Sequence, residues 1–172
     1  MTRNARNIVL LLGGARSGKS RIAQARAEAL NGALVYLATG EARDEEMTAR
    51  IQQHRSDRGA RWRTVEVPLE LPEAIRREGS GNVVLVDCLT LWLSNLILGE
   101  HDVTDATERL LTSLRDATGT VLLVSNEVGM GIVPENALAR RFRDDAGRLN
   151  QRVASVADEV VLIAAGLALR MK

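Results

Sequence analysis

The chain has 172 residues, 45% hydrophobic and 26% charged, a size and balance that fit one globular domain with a substantial core. Its formal net charge of +1 excludes a broad positive field for nucleic acid. A single cysteine, Cys88, excludes an internal disulfide and fits a reducing, cytoplasmic compartment, while the polar start "MTRNARN" and apolar runs well short of ~20 residues read as no signal peptide and no membrane span.

In chain order, "IVLLL" (8–12) reads as a buried strand and "KSRIAQARAEAL" (19–30) as a helix. "ALVYLAT" (33–39) is a second strand, and "DEEMTARIQQHRSDR" (44–58) a helix with acids in its first turn and Gly59 beyond its end. "RWRTVEV" (61–67) reads as a short strand and "LPEAIRRE" (71–78) as a helix. "NVVLVD" (82–87) is a continuous apolar run, hence a central strand, followed by helical "LTLWLSNLIL" (89–98) and "DATERLLTSLRDA" (105–117). "TVLLVS" (120–125) is the next strand. A long helix follows from about Glu135, with Leu138, Phe142, Ala146, Leu149, Val153 and Val156 as one buried stripe. "EVVLIAA" and "LALRM", separated by Gly166, predict a closing antiparallel hairpin.

Continuous apolar strands that alternate with helices imply an α/β fold: a mainly parallel sheet, helices on both faces, ligands at the carboxyl edge. Residues 1–172 therefore read as one domain.

Gly13-Gly14-Ala15-Arg16-Ser17-Gly18-Lys19-Ser20 fits the phosphate-loop pattern G-x-x-x-x-G-K-[ST] in its strand–loop–helix setting. Gly13 and Gly18 permit backbone angles that turn successive N–H groups around an anion, and the following helix adds its dipole. Lys19 supplies a charge for the β- and γ-phosphates, and Ser20 a hydroxyl for Mg²⁺. The pattern predicts a nucleoside-triphosphate site and is silent about the reaction; the chain as a whole is read as a P-loop NTPase fold (RecA-like) that binds ATP or GTP. Asp87, which ends an apolar strand, sits where such proteins carry the carboxylate that organises Mg²⁺, although a helix cap would place it there too.

His54 shares a helix face with Met47 and Ile51. On residue pattern alone it reads as a helix-end histidine suited to the dipole. The other histidine, His101, lies in a polar loop and reads as solvated. Asn126, Glu127 and the loop "EVGMGIVPEN" follow a strand and face the carboxyl edge, open to substrate, metal or another subunit. Arg140, Arg141, Arg143 and Arg148 read as a solvated helix face.

The segments "GGARSGKS", "YLATGEARDEEMTARIQQHRSDRGARWRTVE", "VDCLTLWLSNL" and "SNEVGMGIVPENALARRFRDDAGRLNQRVASVADEVVLIAAG" resemble the bifunctional adenosylcobinamide kinase/adenosylcobinamide-phosphate guanylyltransferase family of cobalamin biosynthesis, from Ile8 to Gly166. The resemblance implies two activities: NTP-dependent phosphorylation of adenosylcobinamide, then GMP transfer from GTP to its phosphate through a covalent GMP-histidine. It makes His54 that histidine; members of the family can carry a second one beside it, where this chain has Gln53. It also implies nucleotide contacts at Ala38, Thr39 and Gly40, at Arg55, Ser56, Asp57 and Arg58, and at Glu66 and Asp87. It implies a corrinoid as small-molecule partner and a homo-oligomer, a trimer. A plain small-molecule kinase and a nucleotide-switched regulator or RecA-like ATPase subunit are the competing readings.

Overall fold

The computed structural model describes residues 6–41 and 59–172. The expected helix over 44–58, with His54 and the four residues after it, lies outside the described residues.

Seven strands form one sheet in the order β3-β2-β4-β5-β1-β6-β7. They are β1 (Asn7–Gly13), β2 (Leu34–Ala38), β3 (Trp62–Glu66), β4 (Val83–Asp87), β5 (Thr120–Asn126), β6 (Glu159–Ala164) and β7 (Leu167–Arg170). All neighbouring pairs are parallel except β6–β7, the expected antiparallel hairpin. Its two turn residues, Ala165 and Gly166, have φ of 52° and 76°, the pair of positive angles that matches the twist of a tight hairpin.

The described helices are α1 (Lys19–Glu28), α2 (Leu71–Glu78), α3 (Leu89–Leu98), α4 (Val103–Asp116) and α5 (Ala137–Val156). They cover the two sheet faces unequally. Ile8, Leu10, Val84, Val86, Val121 and Leu123 face one way, into a core shared with α2 to α5. Val9, Leu11, Leu34, Tyr36, Val83, Leu85, Leu122 and Val124 face the other way, against Ala23 and Ala27 of α1. This is the period of two in a strand, apolar on both sides because both faces are covered.

α3 is apolar almost all round, and its Leu89, Trp92 and Leu93 are fully buried. Its polar Asn95 donates to the carbonyls of Thr39 (2.8 Å) and Pro68 (3.0 Å), so the helix is tied to the ends of β2 and β3. In α5 the predicted stripe holds from Ala146 to Val153, but Leu138 is 49% exposed. It lies in the first turn, beside an exposed loop, before the helix reaches the core. The helix starts where Asn136 caps it by accepting from Ala139 N–H at 3.1 Å.

Candidate nucleotide site

The loop between β1 and α1 is built as the sequence predicts. Gly18 has φ 98° and opens α1, accepting the first helical bond from Ile22 at 3.0 Å. Gly14 O accepts from Ser17 N–H (3.3 Å) and from the Lys19 ammonium (2.6 Å), which also lies 3.5 Å from Ser17 Oγ. Lys19 is 6% exposed, while Gly14, Ala15 and Arg16 are exposed and Ser17, Gly18 and Ser20 half-buried. Burial lowers the Lys19 pKa from the usual lysine value, and the nearby Cys88 and Asp87 act in the opposite direction. An anion that enters the loop supplies the charge partner that burial otherwise denies this ammonium.

Two neighbours brace the loop. Gly13 runs so close to β6 that a Cβ there would stand 2.2 Å from the carbonyl oxygen of Ile163. Gly166 N–H, in the β6–β7 turn, donates to Ser17 O at 2.9 Å. The hairpin therefore fixes the phosphate loop from behind, a role that its sequence does not announce.

The strand ends assemble the rest. Ala38 is in register with both Glu66 and Asp87, and Gly13 with Asn126. Gly13, Ala38, Asp87 and Asn126 follow Leu11, Tyr36, Leu85 and Val124 by two residues, and Glu66 follows Trp62 by four; all five fall on the α1 face. They form a row along the carboxyl edge that starts at the phosphate loop. At about 4.8 Å between strands, Glu66 on β3 stands about 19 Å from β1. Glu66 is exposed and Asp87 half-buried.

Thr39 lies differently from the expectation that it contacts guanosine. It is 0% exposed, its hydroxyl donates to Cys88 O (2.7 Å) and accepts from Cys88 N–H (2.8 Å), and its own N–H donates to Asp87 O (3.3 Å). This side chain locks the ends of β2 and β4 together and leaves its neighbours, the half-buried Ala38 and Gly40, nearer the surface. Cys88 is buried beside Asp87, and desolvation first, then that carboxylate, pushes its thiol up to about 12.

A polar cluster that the sequence reading missed stands behind the end of β5. Ser125 Oγ donates to Asn150 Oδ1 at 2.7 Å, Asn150 Nδ2 donates to Asn126 O at 3.2 Å, and Asn126 N–H donates to Thr90 Oγ1 at 2.7 Å. Glu127 N–H donates to Gly13 O (3.0 Å), while its Oε1 accepts from Gly129 N–H (2.5 Å). Of the four arginines read as a solvated face, Arg140 instead holds the loop before α5 through the carbonyls of Pro134 (2.9 Å) and Glu135 (2.6 Å). Arg141, Arg143 and Arg148 make local pairs with Asp144 and Asp145. His101 is exposed, as expected.

Among the described residues no cluster of three or more His, Cys, Asp or Glu is placed to hold a metal. Ser20 and Asp87 flank Lys19 instead, a sparse set that fits Mg²⁺ carried on phosphate oxygens and water. No helix among the described residues is long and apolar enough to cross a membrane.

The fold is similar to that of the flagellar accessory protein FlaH from Methanocaldococcus jannaschii, with a TM-score of 0.55 over 98% of this chain and 79% of that one, at 12% identity. Similarity in sequence is much closer. The bifunctional adenosylcobalamin biosynthesis protein CobP of Pseudomonas aeruginosa is 46% identical over 166 residues, 95% of this chain and 96% of that protein. The bifunctional adenosylcobalamin biosynthesis protein CobU of Salmonella typhimurium is 42% identical, over 96% of this chain and 99% of that protein. Residues 9–171 match the family described as cobinamide kinase / cobinamide phosphate guanyltransferase. The phosphate loop, the row of strand-end residues beside it and this match over nearly the whole chain lead to one conclusion: the protein belongs to the cobinamide kinase / cobinamide phosphate guanyltransferase family.

Proposed function

We propose that the protein carries out two reactions in one nucleotide site: phosphorylation of the hydroxyl on the aminopropanol arm of adenosylcobinamide by ATP or GTP, then transfer of GMP from GTP to that phosphate, giving adenosyl-GDP-cobinamide. The observation that carries this reading is an intact phosphate loop, with Lys19 buried inside it, in a chain that matches the family over residues 9–171. Phosphoryl transfer needs positioning and charge stabilisation more than covalent help from the protein. The loop amides, the α1 N-terminus and Lys19 supply both. Ser20 and Asp87 are the residues that would hold Mg²⁺, which supplies charge neutralisation on the phosphates when bound.

For guanylyl transfer we assign His54 as nucleophile. Its neutral imidazole attacks the α-phosphorus of GTP, and a phosphorus–nitrogen bond forms as pyrophosphate departs. The cobinamide phosphate then displaces the imidazole. Neutral imidazole serves both as attacking group and as leaving group in such a two-step transfer. The nucleoside lies along the strand-end row past Ala38 and Gly40, with Arg55, Ser56, Asp57 and Arg58 beside it. The Glu66 carboxylate accepts from guanine N1–H and the exocyclic amine, a donor pair that adenine lacks. The enzyme works in the cytoplasm as a homo-oligomer, a trimer.

The test is product analysis by chromatography and mass spectrometry. Adenosylcobinamide with ATP should give its phosphate, and adding GTP should give adenosyl-GDP-cobinamide. Formation of the phosphate alone would reduce the protein to a simple kinase, and formation of neither product would overturn the reading.

A further inference from the structure

We propose that the exposed apolar loop after β5, residues 128–133 with Leu138 beyond it, is the surface on which the corrin macrocycle of the acceptor rests. This deepens the reading above and depends on it for the identity of the acceptor. Residues 128–134 run Val-Gly-Met-Gly-Ile-Val-Pro, without one charged or hydrogen-bonding side chain. Yet Met130 is 81% exposed, Ile132 98% and Val133 61%. More than half of the large apolar side chains that stand exposed among the described residues are gathered between positions 128 and 138. Single exposed aliphatic side chains are ordinary, but a group of them on one loop marks a binding surface.

The loop is anchored at both ends. At its start Glu127 N–H donates to Gly13 O at 3.0 Å, and Glu127 Oε1 accepts from Gly129 N–H at 2.5 Å. At its far end Arg140 donates to the carbonyls of Pro134 (2.9 Å) and Glu135 (2.6 Å), and Asn136 caps α5. Tethered ends reduce the freedom that a ligand must remove from the segment between them. A Cβ on Gly131 would meet open space, so the backbone there is as accessible to a broad ligand as the side chains are.

Position selects the occupant. Gly13 opens the phosphate loop, and the apolar stretch begins one residue after the residue bonded to it. The acceptor hydroxyl sits on an aminopropanol arm on the order of 10 Å long, so once it reaches the terminal phosphate the macrocycle lies close to the phosphate loop. A corrin ring is broad and fringed with methyl groups as well as amides. Its methyl-bearing edge gains by covering Met130, Ile132 and Val133, while its amides stay in water. Met171 is also exposed, but its N–H bonds to Val160 O at the start of β6, the opposite end of the sheet from the phosphate loop. It is therefore a control for apolar exposure as such.

Met130→Ser and Ile132→Ser, single and combined in the full chain, test this, with Met171→Ser as the control. Equilibrium dialysis with cobinamide, followed by its visible absorbance, reads binding without nucleotide; steady-state rates with adenosylcobinamide and ATP read the reaction. Each single variant should bind cobinamide about tenfold more weakly, the effect of withdrawing roughly half of one large side chain's burial. The KM for adenosylcobinamide should rise to match, with kcat and the KM for ATP within about threefold of the parent. The control should behave as the parent, and sedimentation velocity should give one oligomeric state for all. Equal cobinamide affinity in the parent and the double variant would overturn the assignment, as would a parent that binds no cobinamide. So would a changed oligomeric state, which would make the loop a subunit contact. If the parent binds cobinamide without phosphorylating it, the kinase reading falls, and the binding contrast still decides the role of the loop.

Discussion

Replacing Thr39 by valine separates two roles for a residue that lies between Ala38 and Gly40, the stretch proposed to border the nucleoside. The exchange keeps the shape and removes the hydroxyl, which donates to Cys88 O at 2.7 Å and accepts from Cys88 N–H at 2.8 Å in a fully buried setting. The Cys88 carbonyl keeps its helical bond from Trp92 N–H at 3.2 Å, so the larger loss falls on the Cys88 N–H, which is left buried with no acceptor. An orphaned buried donor costs about 1–3 kcal/mol, and the weakened carbonyl adds a fraction more, for a total of about 2–4 kcal/mol. At about 2–4 °C per kcal/mol for a chain of this length, the melting temperature should drop by roughly 4–16 °C. Thr39→Ser should recover most of it, since it restores the hydroxyl and forfeits only a methyl worth about 1 kcal/mol. Scanning calorimetry with isothermal nucleotide titration reads both quantities. Below the melting range, GTP affinity of Thr39→Val should stay within about threefold of the parent. An unchanged melting temperature with a large loss of affinity would refute the structural account and return the hydroxyl to the nucleotide.

Gly13→Ala forces a Cβ to 2.2 Å from Ile163 O, so β1 and β6 must part by about 1 Å; a stability loss of about 1–3 kcal/mol and a fall in kinase kcat of about 100-fold should follow, measured by denaturant titration and initial rates. Lys19→Ala should abolish both phosphate reactions while the chain stays folded by circular dichroism, because the amine serves the loop and not the core. Asp87→Asn should keep nucleotide affinity and alter the dependence of rate on Mg²⁺ concentration; an unchanged dependence would make Asp87 a helix cap. Cys88, held up to about 12, should resist alkylation at pH 8 in the native protein, and because the unfolded thiol ionises near pH 8.5 while the folded one does not, stability should fall as pH rises from about 8.5 towards 12. Alkaline urea titrations of the parent and Cys88→Ala check that sign: the variant should lose less.

Much of the site is legible because the phosphate loop is local. Eight consecutive residues carry both its backbone angles and its charge, and flanking apolar runs identify the strand before it and the helix after it. Asp87 is legible for a similar reason, as a lone carboxylate that ends a run otherwise wholly apolar. What the sequence does not disclose is pairing. Nothing in "TVLLVS" says that β5 slots between β1 and β4, yet that order brings Asn126 beside Gly13. Ser125 and Asn150 are 25 positions apart and Thr90 and Asn126 are 36, so their cluster exists only once the sheet order is known. The resemblance implies a nucleotide contact for Thr39, and nothing local in the sequence shows its buried partner, because Cys88 comes from another strand's end. Leu138 fits the helical stripe by period and still faces solvent, because a period gives the side of the helix and not where along it the core begins.

The proposed covalent GMP-histidine is the step on which the two-reaction account turns. After incubation with GTP labelled at the α-phosphate and Mg²⁺, the denatured parent protein should retain label that is lost in acid and kept in alkali, as for a phosphorus–nitrogen bond to imidazole. His54→Ala should retain none and still phosphorylate adenosylcobinamide, because Lys19, Ser20 and Asp87 are untouched. Label that survives undiminished in His54→Ala, or a parent that gains no label, would contradict the account.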